Sequence, residues 1–225
     1  MIKITDSTVF NSGAECIVNT INCVGFMGKG IALEFALRYP ELEKQYIAQC
    51  RNRLIHTGEL YFYNINGQKI INFPTKFDFK HPSQIEWIEE GLQYFLNNYK
   101  NWDIKSIAFP LLGASNGGLD PKVVEELMKK YLSQVDIEVF ICHSKLVEGK
   151  ELEIVKAFKK IDPKSLKQYM RLTTKQINSL ESHQDKIVRF TDILKIEGIG
   201  VDTYKSIFKL IYNKNIELFE AISLI

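Results

Sequence analysis

The sequence has few cysteines, little net charge and no long apolar run. Its four cysteines, Cys16, Cys23, Cys50 and Cys142, form no CxxC pair and cluster with no histidine, so a metal site is not expected. The formal net charge of +2 is too small to indicate a polyanionic partner by itself. No stretch has the length of a membrane span, and no signal-peptide pattern follows Met1. We therefore expect a cytoplasmic protein with reduced thiols and no membrane partner.

Internal repeats and low-complexity linkers are also absent. The pattern of predicted secondary structure, however, changes once along the chain. The 225 residues are 45% hydrophobic and 25% charged, which is typical of a globular protein. Over residues 1–148 short strands alternate with helices, which predicts a three-layer α/β domain. Residues 149–225 have helical patterning throughout, which predicts a small all-α domain. Residues 151–225 are also the more basic part, with 13 Lys and Arg against 10 Asp and Glu.

The first candidate functional segment is a strand, a glycine-rich loop and a helix over residues 15–39. A buried strand ends in Asn19 and Asn22, the loop contains Gly25, Gly28 and Gly30, and helical spacing follows. Such an arrangement lets backbone N–H groups face a phosphate. The loop matches neither the GxGxxG fingerprint nor a Walker loop. A tight turn that needs positive φ is the alternative for the glycines, and backbone capping is the alternative for the asparagines.

Two further features follow predicted strands. The strand Ser106–Leu112 leads into a second glycine-rich loop, Gly113–Gly118, and Lys76 follows the strand Lys69–Phe73 through Pro74 and Thr75. A lysine held by such a turn can act as a phosphate cation or as an amine nucleophile, and a solvated surface lysine is the alternative. Because ligands of such sheets bind beyond the carboxyl ends of strands, we expect one crevice to hold both loops and Lys76.

The helical tail contains one candidate nucleic-acid site. Residues 193–207 are predicted to form two helices joined by the turn Gly198-Ile199-Gly200. Backbone N–H groups at the start of the second helix suit a nucleic-acid phosphate, so Gly198 and Gly200 are the candidate binding residues. A plain helix–helix connection is the alternative.

Three segments together resemble one family. Residues 16–32, residues 72–76 and residues 110–120 are similar to the signature of macrodomains, the ADP-ribose-binding fold. They resemble most the DarG type, a DNA ADP-ribosyl glycohydrolase antitoxin related to the terminal ADP-ribose glycohydrolase branch. The resemblance covers about residues 1–145 and implies a three-layer α/β/α fold with a mixed central sheet. It does not cover the tail.

The resemblance also implies roles for individual residues. Asp6 falls where the family accepts a hydrogen bond from the adenine amino group, and Asn22 falls near the distal ribose as a catalytic, orienting residue. Lys76 matches the catalytic lysine, which acts as a nucleophile or an electrostatic catalyst. The related branch has an assisting aspartate where this chain has glycine, at Gly117, which leaves a fully covalent mechanism open. The residues expected to contact ADP-ribose are Asp6, Ser7, Asn19, Asn22, Gly25, Met27, Gly28, Lys29, Gly30, Ile31, Thr75, Leu112, Gly113, Ala114, Ser115, Asn116, Gly117 and Gly118.

The expected function is hydrolysis of ADP-ribose from nucleobases of DNA, as the antitoxin of a DarT-like toxin and without a cofactor. Two alternatives stay open: an ADP-ribose-binding module without hydrolase activity, and a hydrolase of protein-linked or O-acetyl-ADP-ribose. The expected partners are ADP-ribose, ADP-ribosylated DNA and the toxin. The expected domains are residues 1–148 for ADP-ribose and residues 149–225 as a helical accessory domain.

Overall fold

The computed structural model describes residues 1–213 and divides the chain between Leu146 and Val147 into two compact units. The first unit contains a six-stranded sheet in the order β1-β6-β5-β2-β4-β3. Every neighbouring pair is parallel except β3 and β4, which are antiparallel, so the predicted mixed sheet is confirmed. The strands are β1 (Ile2–Thr5), β2 (Cys16–Asn22), β3 (Tyr61–Ile65), β4 (Gln68–Lys76), β5 (Ser106–Pro110) and β6 (Glu138–Cys142).

Helices cover both faces of this sheet. They are α1 (Gly30–Arg38), α2 (Pro40–Arg51), α3 (Ile85–Asn98) and α4 (Pro121–Leu132), with 3₁₀ helices at Val9–Asn11 and Tyr99–Trp102. Side chains of a strand alternate between faces, so neighbouring residues of β2 join different cores. Ile17 packs in one cluster with Phe35 of α1, and Val18 packs in another with Ile88 of α3 and Met128 of α4. The predicted three layers are confirmed.

Strand β4 is longer than the sequence pattern indicates. Its pairing with β2 continues past Pro74 to the pair Asn22 and Lys76, with a register shift between Ile21 and Asn22. Proline cannot donate to the ladder, and an irregularity next to it absorbs the missing bond. Lys76 is therefore the last residue of the strand rather than part of the following turn. Strand β5 is shorter than predicted and ends at Pro110.

The sheet has a switch point between β2 and β5. The chain leaves β2 towards β3 and β4 on one side and leaves β5 towards β6 on the other, in opposite directions. The ladder between β2 and β5 ends at the pair Ile17 and Ala108, although β2 continues to Asn22. In open α/β sheets the ligand crevice lies at the carboxyl ends of strands at such a point. The loops after β2 and β5 lie on either side of it.

The described part of the second unit contains only helical elements. They are α5 (Gly149–Lys160), α6 (Thr174–His183), α7 (Val201–Asn213) and the 3₁₀ helices Pro163–Gln168, Gln184–Lys186 and Phe190–Lys195. Within the predicted helix pair, the first element is this last 3₁₀ helix, which stops because Ile196 is extended at φ −75° and ψ 127°. The element before the Gly198–Gly200 turn is thus a 3₁₀ helix, and the element after it is α7. Helix predicted beyond residue 213 lies outside the described residues. Across residues 1–213, no helix combines the length and apolarity needed to cross a membrane.

Candidate active site

The side chain of Asn22 organises the loop that follows β2. Its Nδ2 donates to the Phe26 carbonyl oxygen at 2.6 Å, and its Oδ1 accepts from the Val24 N–H at 2.9 Å. The hydroxyl of Tyr46, on α2, lies 2.8 Å from the Asn22 carbonyl oxygen and 2.9 Å from Oδ1. It also accepts from the Gly25 N–H at 3.2 Å. Burial raises the pKa of Tyr46, so its hydroxyl stays protonated and holds the loop.

The far end of this loop exposes backbone donors. Met27 is buried against Ile21 and Ala32, which fixes the loop from beneath. Gly30 begins α1 at a φ of +56°, a conformation that favours glycine. The N-cap residue Lys29 makes no side-chain capping bond. Because the first N–H groups of a helix have no intrahelical acceptor, this turn can donate to an anion.

The loop after β5 folds back on itself and admits only glycine at position 117. A Cβ there would lie less than 3.0 Å from the Gly113 carbonyl oxygen and from Ser83 Oγ. The Gly117 carbonyl accepts from the Ser83 N–H at 2.9 Å, and the Leu119 N–H donates to the Gly113 carbonyl at 3.1 Å. Any side chain at position 117, an aspartate included, does not fit this backbone.

Asn116 is the residue at which both loops and β4 meet. Its Nδ2 lies so close to Gly30, at the start of α1, that a Cβ added to this glycine would be 2.5 Å away. Its carbonyl oxygen accepts from Nζ of Lys76 at 2.5 Å. The structure therefore brings together the three features that the sequence placed in one crevice. Asn116 itself is exposed, so the junction opens to solvent.

The amine of Lys76 lies in a partly desolvated position. Burial lowers its pKa below the ordinary value of 10.5, because a partly desolvated ammonium loses hydration. Within residues 1–213 Lys76 forms no ion pair, whereas each of four other lysines pairs with a carboxylate: Lys3, Lys129, Lys130 and Lys145. A lowered lysine pKa increases the fraction of neutral amine, the form that can attack carbon.

A charged cluster surrounds Asp6, which follows β1 and is about half exposed. Asp6 Oδ1 lies 3.1 Å from Nζ of Lys145 and 3.6 Å from Nδ1 of His143. His143 Nε2 in turn lies 2.6 Å from Oε2 of Glu125. The sequence reasoning missed His143, Lys145 and Glu125. The available signal was that His143 directly follows β6, which pairs with β1, so both residues leave the same edge of the sheet.

Asn19 has a different position from the one expected. It is fully buried in β2, and its Nδ2 donates to Oδ1 of Asn72 in β4 at 2.8 Å. A side chain with no exposed surface does not touch a ligand in this conformation, so the expected direct contact is not supported. The signal was available in the alternation of β2, because Asn19 shares a face with Ile17 and Ile21, which are core residues.

The remaining predicted residues differ in exposure. Those that are exposed or partly exposed are Gly25, Lys29, Gly30, Ile31, Ala114, Ser115 and Gly118, and those that are buried are Ser7, Met27, Gly28, Thr75, Leu112, Gly113 and Gly117. Gly198 and Gly200 are exposed in the second unit. No cluster of three or more His, Cys, Asp or Glu side chains that suits a metal ion is found in the described part of the chain.

Comparison with known proteins gives consistent matches for the first unit. The family model "Macro domain" matches residues 18–128. A "DNA ADP-ribosyl glycohydrolase" of Mycobacterium tuberculosis is 37% identical over 160 residues, which are 67% of this chain and 46% of that protein. One of Thermus aquaticus is 34% identical over 146 residues, 63% of this chain and 41% of that protein. The chain therefore spans less than half the length of these curated relatives.

Solved structures give the same result. The "Macrodomain of Mycobacterium tuberculosis DarG" matches with a TM-score of 0.61 and 36% identity, over 63% of this chain and 97% of that chain. "Thermosipho africanus DarTG in complex with ADP-ribose" matches with a TM-score of 0.60 and 28% identity, over 65% of this chain and 43% of that chain.

Proposed function

This chain belongs to the macrodomain family, and we propose that its first unit binds ADP-ribose and hydrolyses the bond between ADP-ribose and a DNA base. The names of the relatives from Mycobacterium tuberculosis and Thermus aquaticus support the reaction. The Thermosipho africanus protein, whose structure is a complex with ADP-ribose, supports the ligand. The observation that carries the proposal is the position of Lys76, with its amine bonded to the carbonyl of Asn116 between both loops.

The binding part of the proposal uses the backbone donors around the crevice. The first turn of α1 and the loop after β5 hold the diphosphate from two sides. Asp6 accepts a hydrogen bond from the adenine amino group, with Lys145 and His143 holding its carboxylate in place. The amide of Asn22 is already bonded within its own loop. Asn22 therefore orients the distal ribose chiefly by shaping that loop.

The catalytic part assigns Lys76 to the anomeric carbon of the distal ribose. As a nucleophile, its neutral amine bonds to that carbon while the bond to the base breaks and its electron pair leaves with the base. The base takes up a proton, and water then releases ADP-ribose and restores the amine. As an electrostatic catalyst, the ammonium stabilises the developing charge while water attacks. The lowered pKa of Lys76 supports the first role.

The test is release of free ADP-ribose from an ADP-ribosylated single-stranded oligonucleotide. We expect Lys76→Ala to reduce the rate by about 100-fold or more, because it removes the reacting or charge-stabilising group. Lys44→Ala is the matched control, since Lys44 is an exposed lysine on α2. Equal rates for wild type and Lys76→Ala would contradict the assigned role.

The steric restriction at Gly117 favours a second candidate function, an ADP-ribose-binding module without hydrolase activity. The loop has no room for an assisting carboxylate at this position. Calorimetry that shows tight ADP-ribose binding would select this candidate if no turnover occurs on DNA-linked, protein-linked or O-acetyl-ADP-ribose. Turnover on protein-linked or O-acetyl-ADP-ribose alone would select the remaining alternative.

We further propose that a DNA ADP-ribosyltransferase of the DarT type makes the substrate and that this chain acts as its antitoxin in the cytoplasm. A Thermosipho africanus relative, 31% identical over 159 residues, is named as a fusion of a DNA ADP-ribosyl transferase and a DNA ADP-ribosyl glycohydrolase. Co-expression with such a transferase tests the proposal. Wild type should restore growth and Lys76→Ala should not, whereas equal rescue by both would point to neutralisation by binding alone.

A further inference from the structure

Three large aromatic side chains are exposed in the segments that follow β2 and β4. Phe26, Phe77 and Phe79 expose 47%, 63% and 45% of their surface. The rings of Phe26 and Phe79 are in contact, with centroids 4.6 Å apart and planes at 45°. Large apolar side chains that are exposed near one another in a fold commonly mark a binding site.

The chain segments that carry these rings adjoin the proposed catalytic residues. Phe77 directly follows Lys76, and its carbonyl accepts from the Cys23 N–H at 3.0 Å, which joins the segment after β4 to the first loop. The Phe26 carbonyl accepts from the side chain of Asn22. If ADP-ribose occupies the crevice up to Lys76, the group on the other side of the scissile bond lies beyond that lysine, where this aromatic surface begins.

The charges around the rings favour a polyanion. Lys29 and Lys80 flank the aromatic segments, and Nζ of Lys80 lies 5.8 Å from the centroid of the Phe79 ring. Residues 23–33 contain no acidic side chain, and residues 74–84 contain only Asp78. Asp78 Oδ1 accepts from the backbone N–H of Lys80 at 2.6 Å, so the carboxylate is occupied locally. Exposed aromatics interleaved with cations are the usual means of holding single-stranded nucleic acid.

We propose that Phe26, Phe77 and Phe79 form a stacking surface for the unpaired bases next to the ADP-ribosylated base of single-stranded DNA. This inference rests on the proposed function and adds a determinant of substrate choice. Bases stack on the rings, and Lys80 and Lys29 face the phosphates between them. Double-stranded DNA does not bind to this surface, because its bases are already stacked on each other.

The kinetic test compares two substrates that differ only in the neighbouring bases, an ADP-ribosylated oligonucleotide and the ADP-ribosylated nucleoside. We expect Phe77→Ala and Phe79→Ala each to lower kcat/KM about tenfold on the oligonucleotide and to leave the nucleoside unchanged. Phe79→Trp should restore the oligonucleotide rate. Ile4→Ala is the matched control, since Ile4 is 48% exposed on β1, four strand positions from β4. Phe26 is left intact because its ring packs over Gly28 in the ligand loop.

A binding test separates failure of this inference from failure of the proposed function. Fluorescence anisotropy with an unmodified labelled single-stranded oligonucleotide requires no turnover. Weaker binding by Phe77→Ala and Phe79→Ala, with unchanged calorimetric affinity for ADP-ribose, supports the surface even if no substrate is hydrolysed. Three results overturn it: wild-type oligonucleotide binding by both variants, equal losses on nucleoside and oligonucleotide, or a larger loss on an ADP-ribosylated peptide than on DNA.

Discussion

Nζ of Lys76 donates to the backbone carbonyl of Asn116, and this bond joins the end of β4 to the loop after β5. Strand β2 lies between these two strands in the sheet, so the bond crosses the carboxyl end of β2. It places the amine over the switch point of the sheet, where such folds bind ligands. A ligand that reaches the amine must also meet the loop that Asn116 belongs to.

The pH dependence of the reaction distinguishes the two roles of Lys76. If the neutral amine attacks, the single-turnover rate rises with pH and the midpoint of the rise lies below 10.5, because burial lowers the pKa of this lysine. Lys76→Arg then has almost no activity at any pH, since the guanidinium stays charged. A rate that is independent of pH and largely kept in Lys76→Arg would instead indicate electrostatic catalysis. Intact-protein mass spectrometry during turnover checks for the covalent adduct.

The hydroxyl of Tyr46 is predicted to stabilise the first loop. Tyr46→Phe removes its contacts with Asn22 and Gly25, so we expect the free energy of unfolding to fall by about 1–2 kcal/mol. ADP-ribose affinity should also fall, because the loop loses its anchor. Chemical denaturation and calorimetry measure the two effects. Tyr131→Phe is the control, since its hydroxyl bonds to Glu89 at the surface and should cost less than about 0.5 kcal/mol.

Asn19 and Asn72 are predicted to act as one structural pair. Asn19→Ala and Asn72→Ala each leave the other amide buried without this partner, which costs about 1–3 kcal/mol. The double variant should be destabilised by less than the sum, because it has no orphaned amide to penalise. Denaturation curves of wild type, the two single variants and the double variant give the coupling free energy between Asn19 and Asn72. If Asn19→Ala instead lost ADP-ribose affinity without losing stability, Asn19 would be a ligand contact after all.

Gly117→Ala is predicted to damage the second loop by steric overlap. The new methyl group would press on the Gly113 carbonyl and on Ser83, so the loop must open. We expect weaker ADP-ribose binding together with a lower Tm. Gly200→Ala, in the second unit, is the control for a general glycine effect, since no atom lies within 4 Å of a Cβ at Gly200 and its φ is not positive. Unchanged ADP-ribose affinity in Gly117→Ala would show that binding of the diphosphate does not depend on this loop.

The second unit is predicted to contribute nucleic-acid affinity rather than catalysis. A truncated chain that ends at Leu146 keeps the whole sheet, so its calorimetric affinity for ADP-ribose should match wild type. Its binding to ADP-ribosylated DNA should weaken and lose part of its salt dependence, because basic residues of the tail, with Gly198 and Gly200, are removed. Salt-dependent anisotropy measures this loss. Unchanged DNA binding would assign the second unit a structural role.

The sequence by itself determined the elements of the first unit and the family. Local signals set the limits of helix α4, because Asp120 caps it, Pro121 is its first residue and the apolar positions recur every three or four residues. The hairpin at Asn66-Gly67 follows from residues that tolerate positive φ. These signals are local. The motifs in residues 16–32, 72–76 and 110–120 indicated the macrodomain family, which the comparisons confirm.

Only the tertiary structure decided what individual side chains do. Asn19 and Asn22 look alike in sequence, yet one is bonded to Asn72 inside the sheet and the other holds its own loop. The glycine requirement at Gly117 arises from Gly113 and Ser83, and the pKa of Lys76 depends on burial between segments far apart in the chain. Long-range packing sets both properties, whereas residue spacing records only short-range preferences.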